Sequence, residues 1–361
     1  MNLEQLLKAF SEVLFIVFQE VVTIDDILND KKKAALLASI LAALDDLQVA
    51  TEEVLPTELA SAYMSGLNEA QSALQELLTS APLSPTAKAI AAAVKTKPVI
   101  QNHIHLNALD EIVSDTMSDM AAAFRTARES AITTIDNTLE TVRQEIASGV
   151  IQGEHSKIAA KRVAKEFAES GMTSFITRDG RRLPLDFYAR TVTRTKIRTA
   201  HVTGAENRYT NAGVGLVKIT GSYPTCDVCA RHRGLVVSLT GEHEGYPTKA
   251  QVPLPPFHPN DRCGVSPFLP EFGDDDEEAK ARWRNFDPDE DTRTPSQRRA
   301  YEKEQEIRRV ARQEAKAYEK MRAALGDKAP KTMGAYRRMK RKNDNKWQQL
   351  QSEYLNAVRS I

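Results

Sequence analysis

The chain has 361 residues, of which 41% are hydrophobic and 27% charged, and its basic and acidic residues balance to a formal net charge of zero. This composition excludes an intrinsically disordered chain and supplies enough apolar residues for a buried core in two or three domains. The three cysteines lie between residues 226 and 263, which excludes the disulfide framework of a small secreted protein and favours a metal site in a reducing compartment.

The net charge of zero conceals four blocks of alternating sign. Residues 1–153 and 235–297 are acidic, whereas residues 154–234 and 298–361 are basic. Because each basic block can meet phosphate separately, overall neutrality does not exclude contact with nucleic acid.

Apolar residues recur at helical spacing through the first 170 residues. The predicted helices cover residues 3–22, 32–48, 57–79, 85–95, 105–149 and 154–170. Breaks that contain Ser and Pro at 80–85 and Lys-Pro at 97–98 separate some of them. The apolar run at 13–18 is far shorter than the roughly 20 residues that a bilayer requires, so we expect no membrane anchor, and the N-terminus lacks a signal-peptide pattern.

A shorter, mixed segment follows. We predict a strand at 173–177, a turn at 178–180, a helix from Pro184 to about Asn211, β-like segments at 216–220 and 235–239, and a loop at 253–259. The acidic stretch 270–291 is predicted to be a linker, and residues 296–325 and 333–358 are predicted to form basic helices.

The three cysteines belong to two ligand-like pairs, Cys226-x2-Cys229 and His258-x4-Cys263. Three sulfur ligands and one nitrogen ligand suit zinc, and four filled positions predict a structural rather than a catalytic ion. The alternative is three reduced thiols around a Pro-rich corner. A redox Cys-x2-Cys is less favoured because that motif usually opens a helix in a βαβ context, and His232 and His243 are interpreted as surface histidines.

These elements predict an α+β fold that is predominantly α. It consists of an elongated helical N-terminal body, a small mixed α/β module with a Cys3His zinc site, and a basic helical C-terminal tail. The predicted boundaries are 1–97 for an N-terminal helical region, 98–172 for a long-helix region, 173–270 for the module, 271–295 for an acidic linker and 296–361 for the C-terminal region.

Two basic clusters are candidate binding surfaces. Arg190, Arg194 and Arg198 share one helix face, which predicts contact with phosphate or with an acidic partner. The alternatives are a solvated helix side paired with local carboxylates, or an Arg190 that braces the module from within. The denser cluster comprises Arg337, Arg338, Lys340, Arg341 and Lys342. Tyr336 and Trp347 flank it, a pattern typical of backbone contact plus base stacking, and a solvated helix end is the alternative.

The run FITRDGRRLPLDFYARTVTRT at Phe175–Thr195 resembles the D-x-x-G-R-x-W-x-L-x-x-Y-x-x-M-x-x-R-T stretch of phage minor capsid proteins, in the head-morphogenesis group typified by the F protein of phage Mu. GLVKI at Gly215–Ile219, the Cys pair and Gly234 resemble the next block. HPNDRC at His258–Cys263 resembles the closing H-P-N-C-R-C signature. The likeness covers about residues 103–268. Asp261 stands where the signature often has Cys, and Leu183 where Trp is usual.

The resemblance implies a structural protein, present in few copies inside the procapsid and virion, that assembles in the host cytoplasm. Implied partners are the portal protein, capsid or scaffolding proteins and double-stranded DNA bound without sequence preference. An enzyme is not expected, since the sequence lacks a P-loop, G-x-S-x-G and His-Glu-x-x-His. The alternative function is a free-standing zinc protein that binds nucleic acid.

Overall fold

The computed structural model describes all residues except 80–83, 96–102, 152, 154, 171, 177–179, 181 and 360–361. The helices are α1 (Leu3–Thr23), α2 (Asp30–Thr79), α3 (Pro85–Lys95), α4 (His103–Ala147), α5 (His155–Ser170), α6 (Leu185–Asn211), α7 (Asp227–His232), α8 (Asp276–Arg284), α9 (Pro295–Leu325), α10 (Met333–Lys342) and α11 (Asn345–Arg359). The strands are β1 (Thr173–Ile176), β2 (Arg182–Pro184), β3 (Leu216–Thr220), β4 (Val236–Ser238) and β5 (Gly264–Pro267). The predicted fold class, α+β and predominantly α, is confirmed.

The N-terminal helices follow the sequence prediction except at one proline. The two helices predicted at 32–48 and 57–79 form the single helix α2, with Pro56 inside it. A proline inside a helix costs about 3 kcal/mol because its N–H is missing and its ring crowds the preceding turn. Leu55 and Leu59 are fully buried on either side of Pro56, and burying each such side chain contributes about 1.5–3 kcal/mol. Packing therefore outweighs the break.

Among the described residues, α2 is the one helix whose length and apolar composition would allow it to cross a membrane. The apolar residues of α2 also form its packing surface within the protein. Leu36, Ile40 and Leu44 form a stripe at helical spacing that is buried within the protein, and alanines fill half of the positions between them. This pattern is typical of a helix that packs on one side against a core.

The predicted breaks at 80–85 and 97–98 lie largely outside the described residues, as does the turn at 178–179. The long segment predicted at 105–149 forms one helix, α4, which ends two residues before Gly149. Gly149 has a φ of +74°, a conformation that ends a helix readily because glycine has no Cβ.

Contacts divide the chain into two compact units, each assembled from segments that are distant in sequence. The first comprises residues 1–52, 119–190 and 306–361. In it the rings of Phe10 and Phe124 stack with centroids 5.9 Å apart, and both side chains are almost fully buried. Packing of apolar side chains from α1 against α4 therefore contributes to the core of the first unit.

The first unit also contains a separate aromatic cluster at the C-terminal end of the chain. Tyr318 and Met321 of α9, Tyr336 of α10, and Trp347 and Leu350 of α11 form it. The basic segment predicted as one helix at 333–358 is two helices, because Asn343 adopts a left-handed φ of +48° between α10 and α11. This turn folds α11 back onto Tyr336.

The second unit comprises residues 53–118 and 191–305. Its core joins helices α2, α3 and α6 to an antiparallel sheet in the order β4-β3-β5. Val217 of β3 is paired with Val237 of β4 and with Pro267 of β5. Strand β5 was not predicted from the sequence. The segment 221–263 begins after β3 and ends before β5, so the pairing of these two strands fixes the positions of both its ends.

Glycines allow two helices of this unit to approach closely. A Cβ added to Gly66 of α2 would overlap the carbonyl of His201 in α6, and one added to Gly204 would overlap the carbonyl of Tyr63. The backbones of α2 and α6 are therefore in direct contact at this crossing, which only glycine permits.

Candidate metal centre

The first pair of sulfur ligands lies at the start of a short helix. Cys226 is the N-cap of α7, and its Sγ accepts a hydrogen bond from the backbone N–H of Cys229 over 3.4 Å. The sequence prediction had not placed a helix here. The first helical turn brings both side chains to the same end, which explains why Cys-x2-Cys spacing presents two sulfurs to one point.

His258 joins this pair from a separate loop. Its Nε2 lies 3.1 Å from the Sγ of Cys226 and 3.1 Å from the Sγ of Cys229. The Nδ1 of the same ring lies 2.9 Å from the carbonyl oxygen of Pro259. When Nδ1–H donates to that carbonyl, the lone pair of Nε2 points at the two sulfurs, which is the orientation that a metal-bound histidine adopts.

Cys263 joins the cluster through Cys229. Ligand atoms of Cys226, Cys229 and His258 lie within 4.8 Å of one another, and so do those of Cys229, Asp261 and Cys263. Cys229 belongs to both groups, so the four residues predicted as ligands converge in space. Neighbouring ligand atoms around a tetrahedral zinc ion are about 3.5 Å apart, slightly more than the 3.1 Å that separates Nε2 of His258 from the sulfurs of Cys226 and Cys229.

Asp261, the departure from the familiar signature, organises the second ligand loop. Its Oδ1 accepts hydrogen bonds from the N–H of Cys263 over 2.8 Å and from the thiol of Cys229 over 3.2 Å. Its Oδ2 accepts a hydrogen bond from the N–H of Phe257 over 2.9 Å. Burial raises the pKa of Asp261, but hydrogen bonds from two backbone N–H groups and from the thiols of Cys263 and Cys229 together leave the pKa lowered. The carboxylate thus ties both ends of the 257–263 loop together.

Hydrogen bonds among the thiols and the imidazole of His258 shift the pKa values of these groups. A hydrogen bond with Cys229, together with one from His258, lowers the pKa of Cys226 to about 4. The same contact with Cys226 raises the pKa of His258 to about 9. Hydrogen bonds with Cys226 and Cys263, with burial, raise the pKa of Cys229. A metal ion that binds here therefore displaces protons that the cluster otherwise shares.

Two histidines that the sequence analysis interpreted as surface residues do not join the described groups of ligand atoms. His232 stacks on Phe257 with ring centroids 4.4 Å apart and also contacts Phe286. The ring of His243 lies directly over Gly215. Neither histidine belongs to a described group of metal-ligand atoms, although His232 is packed between aromatic rings rather than free on the surface.

The acidic segment 271–295, predicted to be a linker, contains α8 and packs on the module. The hydroxyl of Tyr246 donates a hydrogen bond to Asp276, and Arg282 donates to the carbonyl of Arg233. Trp283 stacks on Phe286 with centroids 5.7 Å apart. The many acidic residues of this segment led to the prediction of a linker. The segment is instead packed on the module because Trp283 and Phe286 contact its apolar core.

The residues of the first basic cluster have different surroundings. Nη2 of Arg190 donates to the carbonyl of Leu7 over 2.9 Å and to the hydroxyl of Ser11, so Arg190 braces α1 within the first unit and does not brace the cysteine module. Arg194 is exposed. Arg198 donates to the carbonyls of Arg262 and Cys263, a role that its helical spacing did not reveal.

The C-terminal basic cluster is partly engaged in ion pairs. Arg337 and Lys340 both contact Glu314, at 3.1 and 2.9 Å. The remaining three predicted binding residues, Arg338, Arg341 and Lys342, are exposed. Tyr336 and Trp347 are each only 4% exposed, so the proposal that they stack on bases is wrong, because both rings are packed in the aromatic cluster of α9, α10 and α11.

The family model described as phage minor capsid protein 2 matches residues 35–356 of the chain. No curated protein and no solved structure matches the chain significantly. The match spans both units and includes all four converging side chains.

Proposed function

The chain belongs to the phage minor capsid protein 2 family, and from that premise we propose that it is a structural component of the interior of the phage head, associated with the portal. The family membership confirms the resemblance seen in the sequence and implies a place in the virion. The match over residues 35–356 is the observation that carries the proposal, since it includes nearly the whole chain rather than one motif.

The portal protein, capsid or scaffolding proteins and packaged DNA are the proposed partners, with assembly in the host cytoplasm. Co-purification tests this: tagged protein from infected or lysogenic cells should bring down the portal protein together with other head proteins. Recovery of the tagged protein without any head protein would refute the structural role. We propose that residues 1–97, 98–172, 173–270 and 296–361 are distinct regions of the chain, the last two joined by 271–295.

A structural zinc ion is proposed at Cys226, Cys229, His258 and Cys263. Three thiolates and one imidazole fill the coordination shell of zinc, which leaves no position for a reacting water molecule. The ion would fasten α7 to the 257–263 loop and so contribute folding free energy to a module whose segment 221–263 contains little regular structure. The orientation of the His258 ring supports this proposal.

A second candidate function is a free-standing zinc protein that binds nucleic acid. The exposed cations Arg338, Arg341 and Lys342 favour it, because such side chains contact phosphates without reading bases. This alternative requires DNA binding in the absence of other head proteins, with an affinity that falls steeply as salt is added.

A further inference from the structure

One segment of the chain contacts both ligand loops of the candidate metal centre. We call residues 291–304, the turn before α9 and its first turns, the closing segment. Nη1 of Arg293 donates to the carbonyl of Thr225 over 3.1 Å, and Thr225 directly precedes Cys226. Glu304 lies 3.6 Å from the guanidinium of Arg262, which directly precedes Cys263. The closing segment therefore spans the same two loops that the metal ion would join.

Arg293 is held in one orientation. Its Nε and Nη2 each lie 2.8 Å from a carboxylate oxygen of Asp291, and its guanidinium carbon lies 5.3 Å from the centre of the Tyr301 ring. The side chain of Arg293 is 11% exposed. A two-pronged pair of this kind fixes the plane of the guanidinium, so the remaining Nη1 is aimed at the carbonyl of Thr225 and cannot swing freely to water.

The closing segment also lies within electrostatic reach of the thiols. Burial raises the pKa of Tyr301, and negative charge on Cys226 raises it further. The hydrogen bond with Asp291 raises the pKa of Arg293, and Asp227 and Cys226 add to this effect. A dication with three thiolates and a neutral imidazole carries a net charge of −1. A fixed guanidinium beside that shell is therefore stabilising whenever the site is filled.

We infer that metal binding and docking of the closing segment are thermodynamically linked, with Arg293 as the main positioning residue. A bound metal would hold the two ligand loops together, and the contacts at Thr225 and Arg262 hold the same two loops. Each therefore favours the arrangement that the other requires, and the coupling must act equally in both directions. This inference rests on the metal site proposed above. Its consequence is that zinc fastens the start of α9.

The test measures zinc affinity and local protection in the full chain. Zinc dissociation constants are obtained by competition with a chromophoric chelator for wild type, Arg293→Met and Glu304→Gln. Arg299→Met, at an exposed position in the first turns of α9, is the matched control. Outer partners of metal ligands typically contribute about 10- to 100-fold in affinity. We expect a loss in that range for Arg293→Met, a smaller loss for Glu304→Gln and none for Arg299→Met.

Hydrogen exchange of the wild-type protein supplies the reciprocal measurement. Removing zinc should speed amide exchange in residues 291–304. Unchanged exchange there, or wild-type zinc affinity in both Arg293→Met and Glu304→Gln, overturns the inference while leaving the metal site intact. Failure of wild type to bind zinc refutes the metal site itself. If Arg293→Met does not fold, Glu304→Gln and the exchange data decide.

Discussion

The Nε of Arg198 donates a hydrogen bond of 2.6 Å to the carbonyl oxygen of Cys263, so helix α6 holds the backbone of a predicted metal ligand. Nη2 of the same guanidinium donates to the carbonyl of Arg262 over 3.0 Å. A Cβ at Gly264 would lie only 2.8 Å from Nη2, so the glycine after Cys263 makes room for this contact. Helix α6 thus positions the loop that carries Cys263 through the hydrogen bonds of Arg198.

Arg198→Met should weaken zinc binding without removing a ligand. The two carbonyls of residues 262 and 263 lose their donor, and the loop that carries Cys263 becomes freer to move before the metal binds. We expect a loss of about 10- to 100-fold in zinc affinity, measured by chelator competition. Arg194→Met, an exposed position one turn away, serves as the control. Equal affinity in both variants would show that Arg198 does not position the loop.

Gly66→Ala and Gly204→Ala should each destabilise the protein. The added methyl group meets a backbone carbonyl of the facing helix, and backbone cannot rotate away as a side chain can. Overpacking of this kind costs about 1–3 kcal/mol or more, measurable by urea denaturation. The control is Gly334→Ala in α10, where an added Cβ meets nothing nearer than 3.9 Å. This substitution should stabilise the helix by up to about 1 kcal/mol. If Gly334→Ala lowered the free energy of unfolding while Gly66→Ala and Gly204→Ala left it unchanged, the close crossing of α2 and α6 would be contradicted.

Trp347→Ala should act on stability and not on nucleic-acid binding by stacking. The indole is buried against Tyr336, with ring centroids 5.3 Å apart, and removing a buried Trp costs about 3–5 kcal/mol. The expected result is early melting of α10 and α11, seen as faster hydrogen exchange in residues 333–359. A variant with wild-type exchange but weaker DNA binding would show that the indole is available to bases after all.

Substituting the exposed C-terminal cations tests the proposed DNA contact. Changing Arg338, Arg341 and Lys342 together to Gln should weaken binding to duplex DNA of any sequence. Each lost phosphate contact should also reduce the slope of log K against log salt by about 0.9, measured by fluorescence anisotropy. Changing Arg337 and Lys340 instead should have a smaller effect, since both already contact Glu314. An unchanged salt slope in the triple variant would place any DNA contact elsewhere.

Local sequence signals predicted the elements that depend on nearby residues. Helical spacing predicted α1, α3 and α4, and the Cys-x2-Cys spacing predicted that Cys226 and Cys229 lie together, as they do. What the sequence missed depends on distant packing. The break expected at Pro56 is overridden by buried leucines on both sides, and strand β5 exists because it pairs with β3.

Charge and aromatic patterns were less reliable guides to the surface. The acidic segment 271–295 is folded because Trp283 and Phe286 pack on the module. Arg190 and Arg198 share a helix face, yet one donates to Leu7 and the other to Cys263. Spacing predicts which residues share a face, but the acceptors that they meet come from remote parts of the chain and leave no local signature.

We propose that one zinc ion is bound by three cysteines and one histidine. X-ray absorption at the zinc edge of protein purified without chelator measures this directly. We expect one zinc per chain with three sulfur neighbours at about 2.3 Å and one nitrogen at about 2.0–2.1 Å. His258→Ala should change only the nitrogen shell. Absence of zinc, or a shell made of oxygen and nitrogen alone, would rule out this site.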